Sequence, residues 1–150
     1  MLRGKDLDTG EISDSLRSSN LKTFEYALER VTNLNDWHSF LNLFAEAGYL
    51  KGNLLSSNYV VIFAYTLYLI GKYDYKVPVQ QLRKAIVTCI FMTTVTSYYS
   101  SSPESKVETI YADLRSVETG QEFIKYIYDQ VDLRMTDDFF SVTLPENLNS

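Results

Sequence analysis

The sequence predicts an all-α protein, a single-domain bundle of about six helices around a buried central helix. Three observations predict it. Two strongly apolar runs, NYVVIFAYTLYLIG over residues 58–71 and LRKAIVTCIFMTTVTSYY over 82–99, are longer than the roughly four to eight residues of a strand. The segments beside them repeat apolar residues at three- and four-residue spacing. SVTL, at 141–144, is the one short strand candidate.

Residues 1–19 are polar and read as an extended arm with at most one helical turn, and 20–150 as the helical domain. Asn20 is placed to cap a first helix whose stripe is Leu21, Phe24, Leu28 and Val31. Asn35 is placed to cap a second, with Trp37, Phe40, Leu41 and Phe44 inward and Gly48 as its stop. A loop over 50–55 follows. Ser56 or Ser57 caps the central helix, which Gly71 ends. Residues 59–70 are apolar nearly all round, so this helix is expected to be the most buried, Ile62 and Leu69 included. KYDYKV is a loop, and Pro78 opens the fourth helix, whose apolar surface is Leu82, Ile86, Cys89, Ile90, Phe91 and Met92. Ser102 then Pro103 read as N-cap and first turn of the fifth, with Val107, Ile110, Tyr111 and Leu114 inward. Thr119 with Glu122 is a capping box opening the sixth, which turns Phe123, Ile124, Ile127 and Val131 to the core. The tail reads as a short turn, then an extended segment from Pro145.

Composition narrows the function classes. The chain has 150 residues, a net charge of −5 and a pI near 4.8, against the basic stripe of a nucleic-acid binder. One cysteine, Cys89, forbids an internal disulfide and suits a reducing cytoplasm. The N-terminus has no apolar core of a signal peptide, and the 59–70 run is too short to span a bilayer, so no membrane partner is expected. Tyrosine is abundant, at 12 residues, and suits helix interfaces and binding surfaces alike.

No catalytic constellation stands out, and no cofactor or metal is expected. His38 is the single histidine, and one histidine with one cysteine cannot build a zinc site. Phosphate-binding glycine loops and the GxSxG elbow are absent from the sequence. Cys89 reads as a small buried hydrophobe, and Asp137 and Asp138 as acids in the first turn of a short helix after Thr136. Glu104 and Glu108, one turn apart, read as a solvated acidic face. The best candidate interaction surface is the junction from Thr96 to Glu108, with Tyr98, Tyr99, Ser100, Ser102, Glu104 and Glu108, together with Arg83. There a helix end and a helix start bring hydroxyls and unpaired amides together, although a well-capped helix hairpin would look the same.

The succession SSNYVVIFAYTLYLIGKYDYKV, LRKAIVTCIFMTTVTSYYSSSPESKVETIYADL and TDDFFSVTLPENLNS, with GKDLDTGE and DWHSFLNLFAEAGY before it, resembles the helical region of the domain-of-unknown-function family numbered 262. That family includes the S-part of GmrSD-type modification-dependent restriction systems. Its members begin with a ParB/sulfiredoxin-like domain carrying an Asp-Gly-Gln-Gln-Arg motif, and many end in an HNH nuclease domain. Neither motif occurs here, so the resemblance implies the middle piece of a longer protein with its catalytic residues elsewhere. The sequence departs from the family pattern at IVTCIFM, where IARWFFM is usual, and at TSYYS, where TGRYS is usual. Thr88 and Tyr98 thus stand where arginines are expected.

The resulting expectation is a non-catalytic accessory or scaffold domain of a restriction-type nuclease/NTPase-like protein in cytoplasmic phage defence. Its partners would be the other domains or subunits of that protein, with homo-oligomerisation as a second kind of association and DNA contacted only indirectly or weakly. The alternative is a nucleic-acid-sensing module, for which Arg83, Lys84, Lys72 and Lys76 could supply a basic face.

Overall fold

A computed structural model describes residue 10, residues 12–49 and residues 58–145. Six α-helices run through them: α1 (Asp14–Val31), α2 (Leu34–Glu46), α3 (Asn58–Leu69), α4 (Val79–Val95), α5 (Pro103–Leu114) and α6 (Gly120–Asp132). A π turn (Ile70–Asp74) prolongs α3, a 3-10 turn (Tyr98–Ser100) joins α4 to α5, and a second π turn (Phe139–Thr143) follows α6. No β-strand occurs among the described residues, and SVTL is helical. The class is all-α. The expected 50–55 loop, the cap at Ser56 or Ser57 and the segment after Pro145 lie outside the described residues. The chain divides into two compact units, Met1–His38 and Ser39–Ser150.

In the first unit, α1 starts six residues before Asn20. Ser13 is its cap, with the hydroxyl accepting the Leu16 N–H at 3.4 Å. Its apolar stripe does not face a core. Leu21, Phe24, Leu28 and Val31 are 40%, 48%, 49% and 45% exposed, and α1 buries no residue. Within this unit the other helical segment is the first turn of α2, too short to cover an 18-residue helix. Asn33, not Asn35, caps α2, accepting the N–H groups of Asn35 and Asp36 at 3.0 and 3.4 Å.

In the second unit the organising helix is α4. It buries Leu82, Ala85, Ile86, Cys89, Ile90, Met92, Thr93 and Thr94, and packs against α3, α6 and the turns at both its ends. The two buried threonines return their hydroxyls to the helix, Thr93 to the Cys89 carbonyl and Thr94 to the Ile90 carbonyl, both at 2.8 Å. Burying them thus leaves no donor unmade. Phe91, expected inward, is exposed. The residues expected inward on α5 and α6 are buried or half-buried. On α2 the core residues are Phe40, Leu43 and Phe44, while Leu41 turns outward. Phe40 meets Phe44, Tyr65 and Tyr68 with ring centroids 5.3, 5.0 and 6.0 Å apart.

The α3 helix is apolar on every face but is not covered on every face. Ile62 is 54% exposed, while Leu69 is 6% exposed. Its buried residues serve two contacts: the helix packs on α4, and Tyr65 and Tyr68 meet Phe40 of α2. Composition alone does not fix which side is covered.

The passage from α3 to α4 is tighter than a loop. Gly71 does not stop the helix; it is buried within the π turn. A methyl group there would lie 2.5 Å from Leu82 Cδ1 and 2.8 Å from Phe123 Cε1. Beyond the turn Lys76 sits at φ +50, and the Val77 N–H donates to the Gly71 carbonyl at 2.9 Å. Tyr75 stacks on Phe123 at 4.9 Å, and its hydroxyl reaches the Leu114 and Val117 carbonyls at 3.0 and 3.1 Å. It thereby caps the C-terminus of α5. Two expected signals are in place. Gly48 (φ +90) ends α2, and Thr119 and Glu122 form a complete capping box on α6.

Urea denaturation separates these roles. Gly71→Ala is expected to cost about 1–3 kcal/mol, because Leu82 and Phe123 must shift inside a packed core. Leu69→Asp is expected to cost several kcal/mol, as an unpaired buried charge does, and Ile62→Asp about 0.5 kcal/mol or less. Equal costs for the two aspartates would refute the orientation of α3.

Candidate functional site

The Thr96–Glu108 junction is built by two left-handed serines. Ser97 (φ +49) ends α4 and Ser102 (φ +46) precedes α5, with the 3-10 turn between them. The Ser102 side chain makes no capping hydrogen bond, which corrects its expected role. In the left-handed region its hydroxyl is turned from the extended geometry a cap requires. Pro103 does occupy the first helical position. Ser100 is exposed, and its hydroxyl donates to the Ser97 carbonyl at 2.6 Å.

The adjacent tyrosines separate. Tyr99 points inward and is 3% exposed, packing on Phe63 with centroids 5.1 Å apart. Burial pushes its phenol well above the ordinary tyrosine range. Tyr98 stays at the rim, half-buried, and meets the Tyr99 ring edge-on at 5.0 Å. Two cations lie against its ring, Arg134 Cζ at 4.2 Å and Lys106 Nζ at 4.7 Å from the centroid. Arg134 also donates to the Tyr98 hydroxyl at 2.9 Å, and Lys106 donates to the Tyr98 carbonyl and to Ser101 Oγ. A second Arg134 nitrogen donates to the Gln130 carbonyl and side chain, each at 2.8 Å. The Tyr98 hydroxyl is thus engaged by protein.

Behind this rim lies a cavity of about 20 Å³ whose lining includes Leu67, Cys89, Met92, Ile110 and Ile127. That is room for about one water molecule. Cys89 is buried as expected, and burial pushes its thiol up to about 12, against a weaker opposing pull from Arg134. A thiol so raised stays protonated and is a poor nucleophile at neutral pH.

The acids of the junction do not act as a pair. Glu104 accepts the Tyr59 hydroxyl at 2.9 Å, tying α5 to α3, while Glu108 is exposed one turn on. Hydrogen bonds from its own backbone N–H and from Tyr59 hold the Glu104 carboxyl below the usual range. Arg83 is not part of the junction. It pairs with Glu46 of α2, and it lies twelve positions before Val95 on α4, about 18 Å along the helix axis. Lys72 and Arg83 both line a cavity of about 210 Å³; Lys76 and Lys84 are exposed and are not among its lining residues. His38 is exposed, and Asp137 and Asp138 stand in a first turn where Thr136 Oγ1 accepts the Phe139 N–H at 3.3 Å. Among the described residues no group of three or more His, Cys, Asp or Glu could hold a metal ion. No helix of the described residues is long and apolar enough to cross a membrane.

Arg134 and Tyr59 are the contributors that sequence reasoning missed. They lie 36 and 45 residues from their partners, so no local spacing signals them. Compared with protein families, curated proteins and solved structures, the chain matches none.

The left-handed serines give a direct test. Glycine carries no steric penalty at positive φ, so Ser97→Gly and Ser102→Gly are each expected to stabilise by up to about 1 kcal/mol. Ser102→Ala is expected to gain nothing and to lose no cap. A Ser102→Ala loss as large as that of Thr119→Ala in thermal melts would restore Ser102 as a capping residue.

Proposed function

We propose that this chain is a helical association domain, non-catalytic by itself, that supports the catalytic part or the subunit contacts of a restriction-type nuclease/NTPase-like protein. The observation that carries the reading is the uncovered stripe of α1. Leu21, Phe24, Leu28 and Val31 recur at intervals of three and four residues and so share one helix face, and each is at least 40% exposed. Exposed apolar surface of this kind marks a site of association. An amphipathic helix laid into a partner's apolar groove uses this same spacing of anchors. The resemblance described above supplies the partner, the remaining domains of a longer protein. The nucleic-acid alternative draws on Lys72 and Arg83, which line the same cavity. The net charge of −5 opposes a polyanion.

The test expresses the complete reading frame as two chains, this one and the remainder, and measures their co-purification. Phe24→Asp with Leu28→Asp is expected to reduce capture about tenfold or more. The melting temperature of the isolated chain should change little, because both side chains are exposed. Undiminished capture would refute the role of α1, and a reading frame that encodes nothing further would refute the scaffold reading.

A further inference from the structure

The cavity lined by residues of the Ile70–Asp74 turn, the start of α4 and α2 has no part in the association reading above. Its floor is apolar, made by Tyr68, Val77 and Leu82, which are 8%, 6% and 2% exposed. Val79 stands at its mouth, 69% exposed. The charged side chains among its described lining are both cationic, Lys72 and Arg83, on a chain whose net charge is −5. A volume of about 210 Å³ is below the roughly 300–1,000 Å³ of sites for small-molecule ligands. It leaves room for one large side chain, and buried anchors of that kind dominate protein–protein contacts.

The cationic rim has already met a carboxylate. Glu46, itself 42% exposed, reaches across from α2 to Arg83. An incoming acidic residue would find the guanidinium oriented for a carboxylate and would share or displace Glu46. A phosphate backbone suits the site less well, because it offers no apolar group for the buried floor.

We propose that this pocket receives a partner-protein segment in which a large apolar residue is flanked by acidic ones, the apolar side chain on the Val77–Leu82 floor and a carboxylate on Lys72 and Arg83. This rests on the association reading above but uses a different surface, so it can fail while the α1 test succeeds, and the reverse.

The test is an amide-resolved NMR titration of the full chain with the blocked tripeptide Glu-Phe-Glu. Blocked Lys-Phe-Lys and a short DNA duplex are the comparators. Saturable shifts at Lys72, Val77, Val79 and Leu82 with Glu-Phe-Glu, and little response to Lys-Phe-Lys, are expected. Val79→Asp should weaken the tripeptide about tenfold by placing a carboxylate at the rim. It should fold normally, since position 79 is exposed and an acid is favoured at a helix start. Lys72→Ala with Arg83→Ala should weaken it similarly, with the remaining resonances unmoved. Four results would overturn the proposal: no saturable shift, shifts centred elsewhere, equal response to Lys-Phe-Lys, or a duplex that occupies these residues in place of the tripeptide.

Discussion

Between Gly71 and Tyr75 the chain passes from α3 to α4 with Leu82 and Phe123 so near that a methyl group on residue 71 would overlap both. The second unit depends on this approach. It lets the π turn sit directly against α4 and α6, and that places the Tyr75 ring on Phe123 with its hydroxyl under the last carbonyls of α5. One short segment thus fixes the ends of four helices. Gly120 continues the same close contact, where a Cβ would lie 3.0 Å from the Tyr75 carbonyl oxygen. Backbone nearness rather than side-chain volume sets the geometry there, and a glycine is the residue that permits it.

At the opposite end of α4, order comes from aromatic rings and cations. Tyr59, Phe63, Tyr99 and Tyr98 follow one another in ring contact from α3 to the rim. Arg134 and Lys106 then close the series over Tyr98. Charges near an aromatic face gain most where water is partly excluded, as it is beside a half-buried ring. The serine-rich turn needs this support, since it holds two non-glycine residues in the left-handed region.

Much of this architecture was legible in the sequence, for identifiable reasons. Helical periodicity located all six helices, and it gave the inward faces of α5 and α6 correctly because each has polar residues opposite the stripe. The Thr119–Glu122 box and the Gly48 stop were legible because both are local backbone chemistry. Where the apolar pattern runs all round, as on α3, periodicity carries no direction, and Ile62 fell on the wrong side. On α1 the stripe was read rightly, but its cover is not supplied within its unit. Ser102 misled because a serine before a proline at a helix start resembles a cap until its φ is known. The candidate site was legible only as a place. The separation of Tyr98 from Tyr99 and the arrival of Arg134 are tertiary events.

The π turn after α3 carries one residue more than an α-helical turn would. A single-residue deletion within Ile70–Asp74 would therefore leave a regular helix, whereas one in mid-α4 would break a continuous register. It would also turn the residues after it, as far as Tyr75, by about 100°, one residue's share of a turn, while the non-helical residues 76–78 separate that rotation from α4. Helix continuity would survive while the Gly71 and Tyr75 contacts were lost. Such a deletion would thus spare the helix itself and strike the contacts by which the turn holds α5 and α6.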